Sequence, residues 1–423
     1  MKKTAWLIAL ALSACATQPE KPSKTTTAAV AAPQAAACAC VQEETPPIQI
    51  PDVERYVPPP TEPGAVEPVK VKEYQLLRPV EWTQVEGVET DNLSGAWGAW
   101  LQGCQALRKQ DVWKQACDAA QQMAAPGKSD IRAYLQQYFT PYQVTNPDGT
   151  TTGLITGYYE PLLRGSRKRT DLYRYPLYSK PKDLITVDLG SEYPELAHRR
   201  LRGKLEGNRV APYYSRGEIE ITESPLSGYE MLWVADIIDL FFLQIQGSGV
   251  IQLENGERVH VGYADQNGQP YQSIGKVLIN RGELTADKAS MLGIKNWARA
   301  NIGKLRDLLN SNPSYVFFRE LPSGLPGPLG ALGVPILAER ALAVDPRYIP
   351  LGAPVFLSTT QPNSNRPMQR LMMAQDTGGA IKGAVRADFF WGAGNDAGRM
   401  AGAMKQQGKM WVLLPKEFSL SSN

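Results

Sequence analysis

Histidine is nearly missing from this 423-residue chain, which has only His198 and His260. That scarcity argues against nucleophilic catalysis built on a histidine base. No Cys/His group has the spacing of a zinc site, so neither a metal nor a cofactor is expected. Long apolar runs are lacking too: beyond the N-terminus no segment is apolar and long enough to span a bilayer. Charge is nearly balanced. The 45 Lys and Arg against 42 Asp and Glu leave a formal net charge of +3, too small to imply nucleic acid or a polybasic membrane patch as partner. No internal repeat occurs. What remains is an ordinary soluble composition, 43% apolar and 21% charged, in a length that suggests two or three domains. Any hydrolytic chemistry then falls to carboxylates.

The N-terminus carries an address. Lys2 and Lys3 precede a short apolar run from Ala5 to Leu12, which ends in Leu12-Ser13-Ala14-Cys15. This string resembles a bacterial lipobox. The resemblance implies a signal peptide over 1–14, cleavage before Cys15 and acylation of that cysteine. Residue 16 is Ala rather than Asp, so the inner-membrane retention pattern is absent and anchoring in the outer membrane, facing the periplasm, is expected. Acyl chains hold a protein at a bilayer because each buried CH₂ contributes ~0.8 kcal/mol. Residues 15–72 are the expected lipidated cysteine and disordered tether: Ala, Pro, Thr, Gln and Glu dominate, with too few large apolar side chains to offset conformational entropy. Cys38-Ala39-Cys40 lies inside the tether and is assigned no role.

The globular part begins near residue 73. Trp97, Trp100, Leu101, Leu107 and Trp113 have helical apolar spacing, and Cys104 and Cys117 flank part of that stretch. In an oxidising compartment these two cysteines are expected to form a structural disulfide. A helix through Tyr134, Leu135 and Phe139 leads to a turn at Asn146-Pro147-Asp148-Gly149, and Leu154 to Pro161 reads as a strand. Further helices are expected over Ser273–Asn280 and through Trp297 and Leu308. From Tyr315 onward, apolar runs alternate with Gly/Pro turns in the manner of a small β-barrel, with strands at 315–318, 341–344, 354–357, 371–375 and 411–414.

The densest polar stretch is Gln375-Asp376-Thr377-Gly378-Gly379, followed by Asp388-Phe389-Phe390-Trp391-Gly392 and Gly394-Asn395-Asp396-Ala397-Gly398. Read locally, all three aspartates fit turn residues making Asx-type bonds. Asp388 stands apart because aromatic residues follow it, and apolar surroundings raise a carboxyl pKa as a general acid requires. Asp376 and Asp396 lack such a run and read better as ionised supports. The local reading favours Asp388 without excluding the other two. Asp376-Thr377-Gly378 is also an aspartic-protease-like loop, but that chemistry needs two such carboxylates and the chain has one. Gln244 and Gln246 alternate ahead of Gly247, which reads as a strand presenting two amides on one groove wall. Glu160 is either a second catalytic group or, as the blander reading has it, a turn-side ion pair.

The string from Asp376 to Gly398 resembles the three-aspartate signature of the membrane-bound lytic transglycosylase A family. Gly157-Tyr158-Tyr159-Glu160-Pro161 and Gln244-Ile245-Gln246-Gly247-Ser248-Gly249 are similar to its other two landmarks, in the same order. The resemblance implies a mainly β fold with a few helices. A double-psi β-barrel built from both ends of the globular chain (73–162 and 313–420) would carry an inserted β-rich domain (163–312). It implies Asp388 as catalytic acid with Asp376 and Asp396 as supporting carboxylates; Thr156, Tyr158, Gln244, Gln246 and Ser248, whose hydroxyl, phenol and amide groups suit a sugar, are the expected substrate-binding residues. The implied reaction cleaves the MurNAc–GlcNAc bond of peptidoglycan with formation of a 1,6-anhydro sugar. Glycan strands, the outer membrane and cell-wall synthesis proteins are the partners that follow. A water-using glycan hydrolase and a non-catalytic peptidoglycan-binding lipoprotein are the alternatives.

Overall fold

The computed structural model describes residues 73–193, 196, 201–221 and 223–420. Cys15, the signal peptide, the tether, Cys38, Cys40 and His198 lie outside the described residues. The chain first forms β1 (Leu77–Pro79), helices α1 (Ser94–Leu107), α2 (Asp111–Gln122) and α3 (Lys128–Tyr138), then β2 (Phe139–Val144) and β3 (Gly153–Glu160). A second region follows with β4 (Leu162–Ser166), β5 (Tyr175–Tyr178), β6 (Ile185–Thr186), β7 (Arg202–Glu206), β8 (Arg209–Pro212), α4 (Arg216–Ile219), β9 (Glu230–Val234) and α5 (Ile237–Gln246). It continues through β10 (Ser248–Leu253), β11 (Arg258–Gln266), α6 (Ile274–Asn280), α7 (Met291–Ala300), α8 (Ile302–Asn310) and β12 (Val316–Glu320). The chain closes with β13 (Ala341–Val344), β14 (Pro354–Thr360), β15 (Pro367–Asp376), β16 (Ala387–Ala393), α9 (Gly394–Ala403) and β17 (Lys405–Pro415).

Among the described residues the first and last parts share one sheet in the order β1-β2-β17-β14-β15-β13-β16-β3, and a further β17–β3 pairing closes it. The closed ring holds β3 and β13 through β17, with parallel pairs β13–β15 and β16–β3, the double-psi barrel that the resemblance implies. Closure removes the free edges that an open sheet would expose. The long β17 makes it possible: its first half, Lys405–Gly408, pairs with β3 and its second half with β14 and β2. Helices α1 to α3 pack on one side. Trp100 Nε1 donates to Tyr134 Oη at 2.9 Å and that hydroxyl donates to Ala116 O at 2.7 Å, so two buried polar groups are satisfied inside an aromatic core. Cys104 and Cys117 are disulfide-bonded and join α1 to α2 with Cα atoms 5.3 Å apart.

The insert leaves the barrel abruptly, since Pro161 alone separates β3 from β4. Its six-stranded sheet runs β12-β11-β10-β4-β9-β5. Here the expected boundary at 312/313 needs correction. The strand at Val316–Glu320 pairs with β11 and belongs to the insert, not to the barrel's second part. Phe317 and Phe318 are both fully buried, in different apolar clusters, so this strand needs cover on both faces and the insert provides it. Apolar pattern fixes burial; it does not say which sheet a strand joins. The helix expected through Trp297 and Leu308 is two helices, α7 and α8, broken at Asn301 (φ −127°, ψ 46°).

The expected strand at Gln244–Gln246 is the end of helix α5. Asp236 caps its start by accepting from Ile238 N and Asp239 N, and Gly247 ends it in the left-handed region at φ 81°. An Asp ahead of the apolar run and a Gly after it were the helix signals in the sequence. Gln244 and Gln246 therefore do not share a face: Gln244 is buried, Gln246 half-buried, and Ile245 between them exposed.

Alternation along β3, β13 and β16 separates two faces. Ile155, Tyr159, Leu342, Val344, Phe389 and Trp391 join the main core beneath α9, whereas Tyr158, Ala341, Ala343 and Phe390 form a small cluster with Ile336 and Ile381 on the opposite face. Gly157 sits on the core side, where a Cβ would lie 2.7 Å from Trp391 Nε1 and 2.9 Å from the Ala401 Cα. Gly157→Ala should thus lose about 1–3 kcal/mol of stability by overpacking the α9–β3 seam, read as a lowered urea midpoint with an unchanged slope.

Candidate active site

A polar row crosses the second of these faces. Ala343 on β13 is opposite Asp376 on β15 and opposite Asp388 on β16. On the far side of β16, Asp388 is opposite Thr156 on β3. Neighbours in register share a face, so two carboxyl groups flank one methyl group, with a threonine next in line. Three strands converge on Asp388 because the two parallel pairings bring β3 and β15 to either side of the β13–β16 pair.

Asp388 is half-buried: part of its surface reaches solvent while protein surrounds the rest. Loss of water pushes its carboxyl up to about 6; the nearby Asp376 acts in the same direction, while Thr156 and the Arg386 charge oppose the rise. Thr156 Oγ1 donates to Asp388 Oδ1 at 2.6 Å, and Arg386 Nη2 lies 2.9 Å from the same hydroxyl oxygen. Of the three aromatics after Asp388, Phe390 shares its face and packs against Tyr158, with ring centroids 5.1 Å apart. Phe389 and Trp391 face the core and do not line the carboxyl group.

Asp376 is held differently. Tyr158 Oη donates to its Oδ2 at 2.9 Å, and Ala331 N and Thr377 N donate to its Oδ1 at 3.0 and 2.8 Å. Ala331 lies on the segment returning from the insert to the barrel, so Asp376 ties that segment to the end of β15. Burial and the Asp376 charge hold the Tyr158 phenol well above its ordinary range, so the tyrosine remains a donor. Asp396 is elsewhere. It stands in the first turn of α9 with its side chain 87% exposed, paired with Arg399 at 2.7 Å, and makes no bond to Asp388 or Asp376.

Of the other anticipated residues, Thr156 and Tyr158 belong to the polar row. Gln246 Oε1 accepts from Tyr159 N at 3.0 Å, beside the register shift between β3 and β16, and thereby fastens α5 to β3. Gln244 and Ser248 are buried. Glu160 is buried rather than at a turn surface, and its one ion-pair partner among the described residues is His260, a charged pair only when that histidine is protonated. Its buried Oε1 lacks a hydrogen-bond partner among the described residues, His260 Nδ1 is 3.8 Å away, and burial pushes the carboxyl up to about 7. Arg386, which no sequence motif marks, stands two residues before Asp388 and immediately ahead of β16. A separate cavity of about 450 Å³, lined by Lys204, Arg209, Tyr213 and Tyr214 among others, lies in the insert and includes none of these carboxylates.

Two family models match the chain: the MltA specific insert domain over residues 154–319 and the 3D domain over 340–414. They divide the chain nearly where the two sheets do. Membrane-bound lytic murein transglycosylase A of Escherichia coli K12 is 32% identical over 292 residues, covering 67% of this chain and 72% of the relative. The crystal structure of MltA from Neisseria gonorrhoeae is similar at a TM-score of 0.70 and 38% identity, over 81% of this chain and 93% of that one. The Escherichia coli MltA structure with bound chitohexaose is similar at a TM-score of 0.59 and 26% identity, over 80% of this chain and 91% of that one. The match to both family models, together with 32% identity over two thirds of this chain and most of the relative's length, identifies the chain as an enzyme of the membrane-bound lytic murein transglycosylase A family.

Proposed function

We propose that the enzyme cleaves the β-1,4 bond between N-acetylmuramic acid and N-acetylglucosamine in peptidoglycan, with Asp388 acting first as acid and then as base. The carrying observation is a carboxyl group that remains partly accessible while burial raises its pKa to about 6. Such a group is protonated often enough near neutrality to donate to the leaving glycosidic oxygen. The resulting carboxylate then takes the proton of the muramyl C6 hydroxyl as that oxygen attacks C1 of the same sugar. Attack from within the sugar has an effective-molarity advantage over water, so no second carboxylate is required to activate a nucleophile. Asp376 fits this division of labour: its oxygens are committed to Tyr158, Ala331 and Thr377, which suits a fixed negative neighbour better than a base for water. Binding of chitohexaose by the Escherichia coli relative supports a β-1,4-linked amino-sugar chain as ligand.

The substrate strand is proposed to run past the Asp376–Asp388–Thr156 row, with Gln246 at the insert side. The lipobox at Cys15 supports a lipid-anchored enzyme on the periplasmic face of the outer membrane, where glycan strands and the proteins that build them are the natural partners. Digestion of purified sacculi followed by mass analysis tests the reaction. Soluble muropeptides should end in 1,6-anhydro-muramic acid. Products heavier by one water, with free reducing ends, would point to a hydrolase, and sacculus binding without any release to a non-catalytic protein.

A further inference from the structure

The hydroxyl of Thr156 stands between two partners of unlike chemistry, Arg386 Nη2 at 2.9 Å and Asp388 Oδ1 at 2.6 Å. A guanidinium has N–H donors and no acceptor, so Thr156 Oγ1 accepts from Arg386. A threonine hydroxyl carries a single hydrogen. With Arg386 unable to receive it, that hydrogen points at Asp388 Oδ1. We infer that Arg386 is a positioning residue for the reaction: by forcing Thr156 to donate, it keeps Asp388 Oδ1 an acceptor and confines the transferable proton to Oδ2. This inference rests on the reading of Asp388 as the acid.

Several features make the orientation rigid. Asp388 and Phe390 alternate onto one face of β16, Arg386 stands immediately ahead of that strand, and Thr156 is in register with Asp388 on the adjoining parallel strand. Arg386 Nη1 donates to the carbonyls of Leu154 and Ala387, so backbone from β3 and β16 fixes the plane of the guanidinium. Among the described residues, the charged and titratable groups that act on Asp388 include Arg386 just ahead of β16, Asp376 on β15 and Tyr158 on β3. None of these supplies Oδ1 with a competing donor.

The order of events follows. The Oδ2–H bond breaks as the glycosidic oxygen gains the proton and leaves C1. Thr156 is already donating to Oδ1 and so stabilises the carboxylate as it forms. When the C6 oxygen bonds to C1, its proton returns to Oδ2. Were Thr156 free to rotate, its oxygen could instead accept from a proton on Oδ1 and hold that proton away from the sugar.

The test uses the purified full chain on sacculi, with pH–rate profiles for Arg386→Gln, Arg386→Lys, Thr156→Val and the Arg386→Gln/Thr156→Val pair. Rates are compared on the acid-side plateau, where Asp388 is protonated in every variant, so that a mere change of its pKa drops out. A glutamine can accept from Thr156 and release the hydroxyl, so Arg386→Gln should lower the plateau about tenfold, the worth of one hydrogen bond to a charged group. Arg386→Lys, again a pure donor, should recover part of that loss. In the Thr156→Val background, Arg386→Gln should cost nothing further, because no hydroxyl remains to be oriented. An unchanged plateau in Arg386→Gln, or losses that multiply in the pair, would overturn the inference. Should Arg386→Gln fail to fold, Thr156→Val decides alone, since its plateau must fall by a similar factor. Failure of the underlying reading would look different: Asp388→Asn would retain activity whatever the Arg386 variants did.

Discussion

Replacing Asp388 by Asn should reduce release of soluble muropeptides from sacculi by about a thousandfold, within the 10²–10⁴ that a general acid typically contributes. The substitution isolates the proton. Asn is close to Asp in size, and its carbonyl oxygen can still accept from Thr156, so the row Asp376–Ala343–residue 388–Thr156 keeps its shape. Unfolding cannot account for the loss. The Asp388 carboxyl is raised in the folded protein to about 6 from 3.8, so the folded state holds a proton that the unfolded chain releases, and this residue's contribution to stability falls as pH rises between those values. Above that window the wild type keeps an ionised carboxylate in a place that disfavours it, and Asn removes the penalty. The thermal midpoint of Asp388→Asn at pH 7.5 should therefore equal or exceed that of the wild type. The same carboxyl sets the wild-type profile. As acid it must be protonated in the Michaelis complex, so turnover should decline on the alkaline side, about tenfold per pH unit well above the pKa. Equal muropeptide release by both proteins would remove Asp388 from the mechanism.

The Asp388 end of the polar row is more openly legible in the sequence than the rest, for physical reasons. Strand alternation places Phe390 beside Asp388 and turns Phe389 and Trp391 inward, so an aromatic neighbour was legible, though not which one. Arg386 stands just ahead of β16, beyond the reach of that rule, and its importance depends on Thr156, 230 residues away in sequence. No local pattern reports such a pairing. Asp396 shows the opposite failing: it lies among the same glycines as the other aspartates, but the chain turns into α9 at Gly394 and carries it out to solvent. At Gln244–Gln246, period-two alternation of amides suggested a strand, while the Asp236 cap and Gly247 stop specified a helix, and the capping chemistry prevailed. The turn-side placement expected for Glu160 rests on a proline after a strand, which reads as a surface turn. Here Pro161 is the crossing point between two sheets, which is buried ground.

Glu160 carries the second large effect, this time on stability. Its side chain is 4% exposed at the end of β3, its Oε1 lacks a hydrogen-bond partner among the described residues, and the nearby His260 Nδ1 at 3.8 Å is too distant for a hydrogen bond. Burial raises the carboxyl from 4.5 to about 7. The sign follows from proton counting. Below pH 4.5 both folded and unfolded chains are protonated at this residue, and the group exerts no penalty. Between 4.5 and 7 only the folded protein holds the proton, so stability declines steadily as pH rises; above 7 both states are ionised and the folded state bears the full cost, about 3 kcal/mol. Glu160→Gln keeps the shape and removes the ionisation. It should match the wild type near pH 4.5 and exceed it by about 3 kcal/mol at pH 8, a gain of a few degrees in thermal midpoint for a protein of this size. Unfolding curves for both proteins across that range provide the measurement. Parallel decline of the two with rising pH would mean that Glu160 finds a partner in solution and that its burial is not what makes the junction between barrel and insert sensitive to alkali.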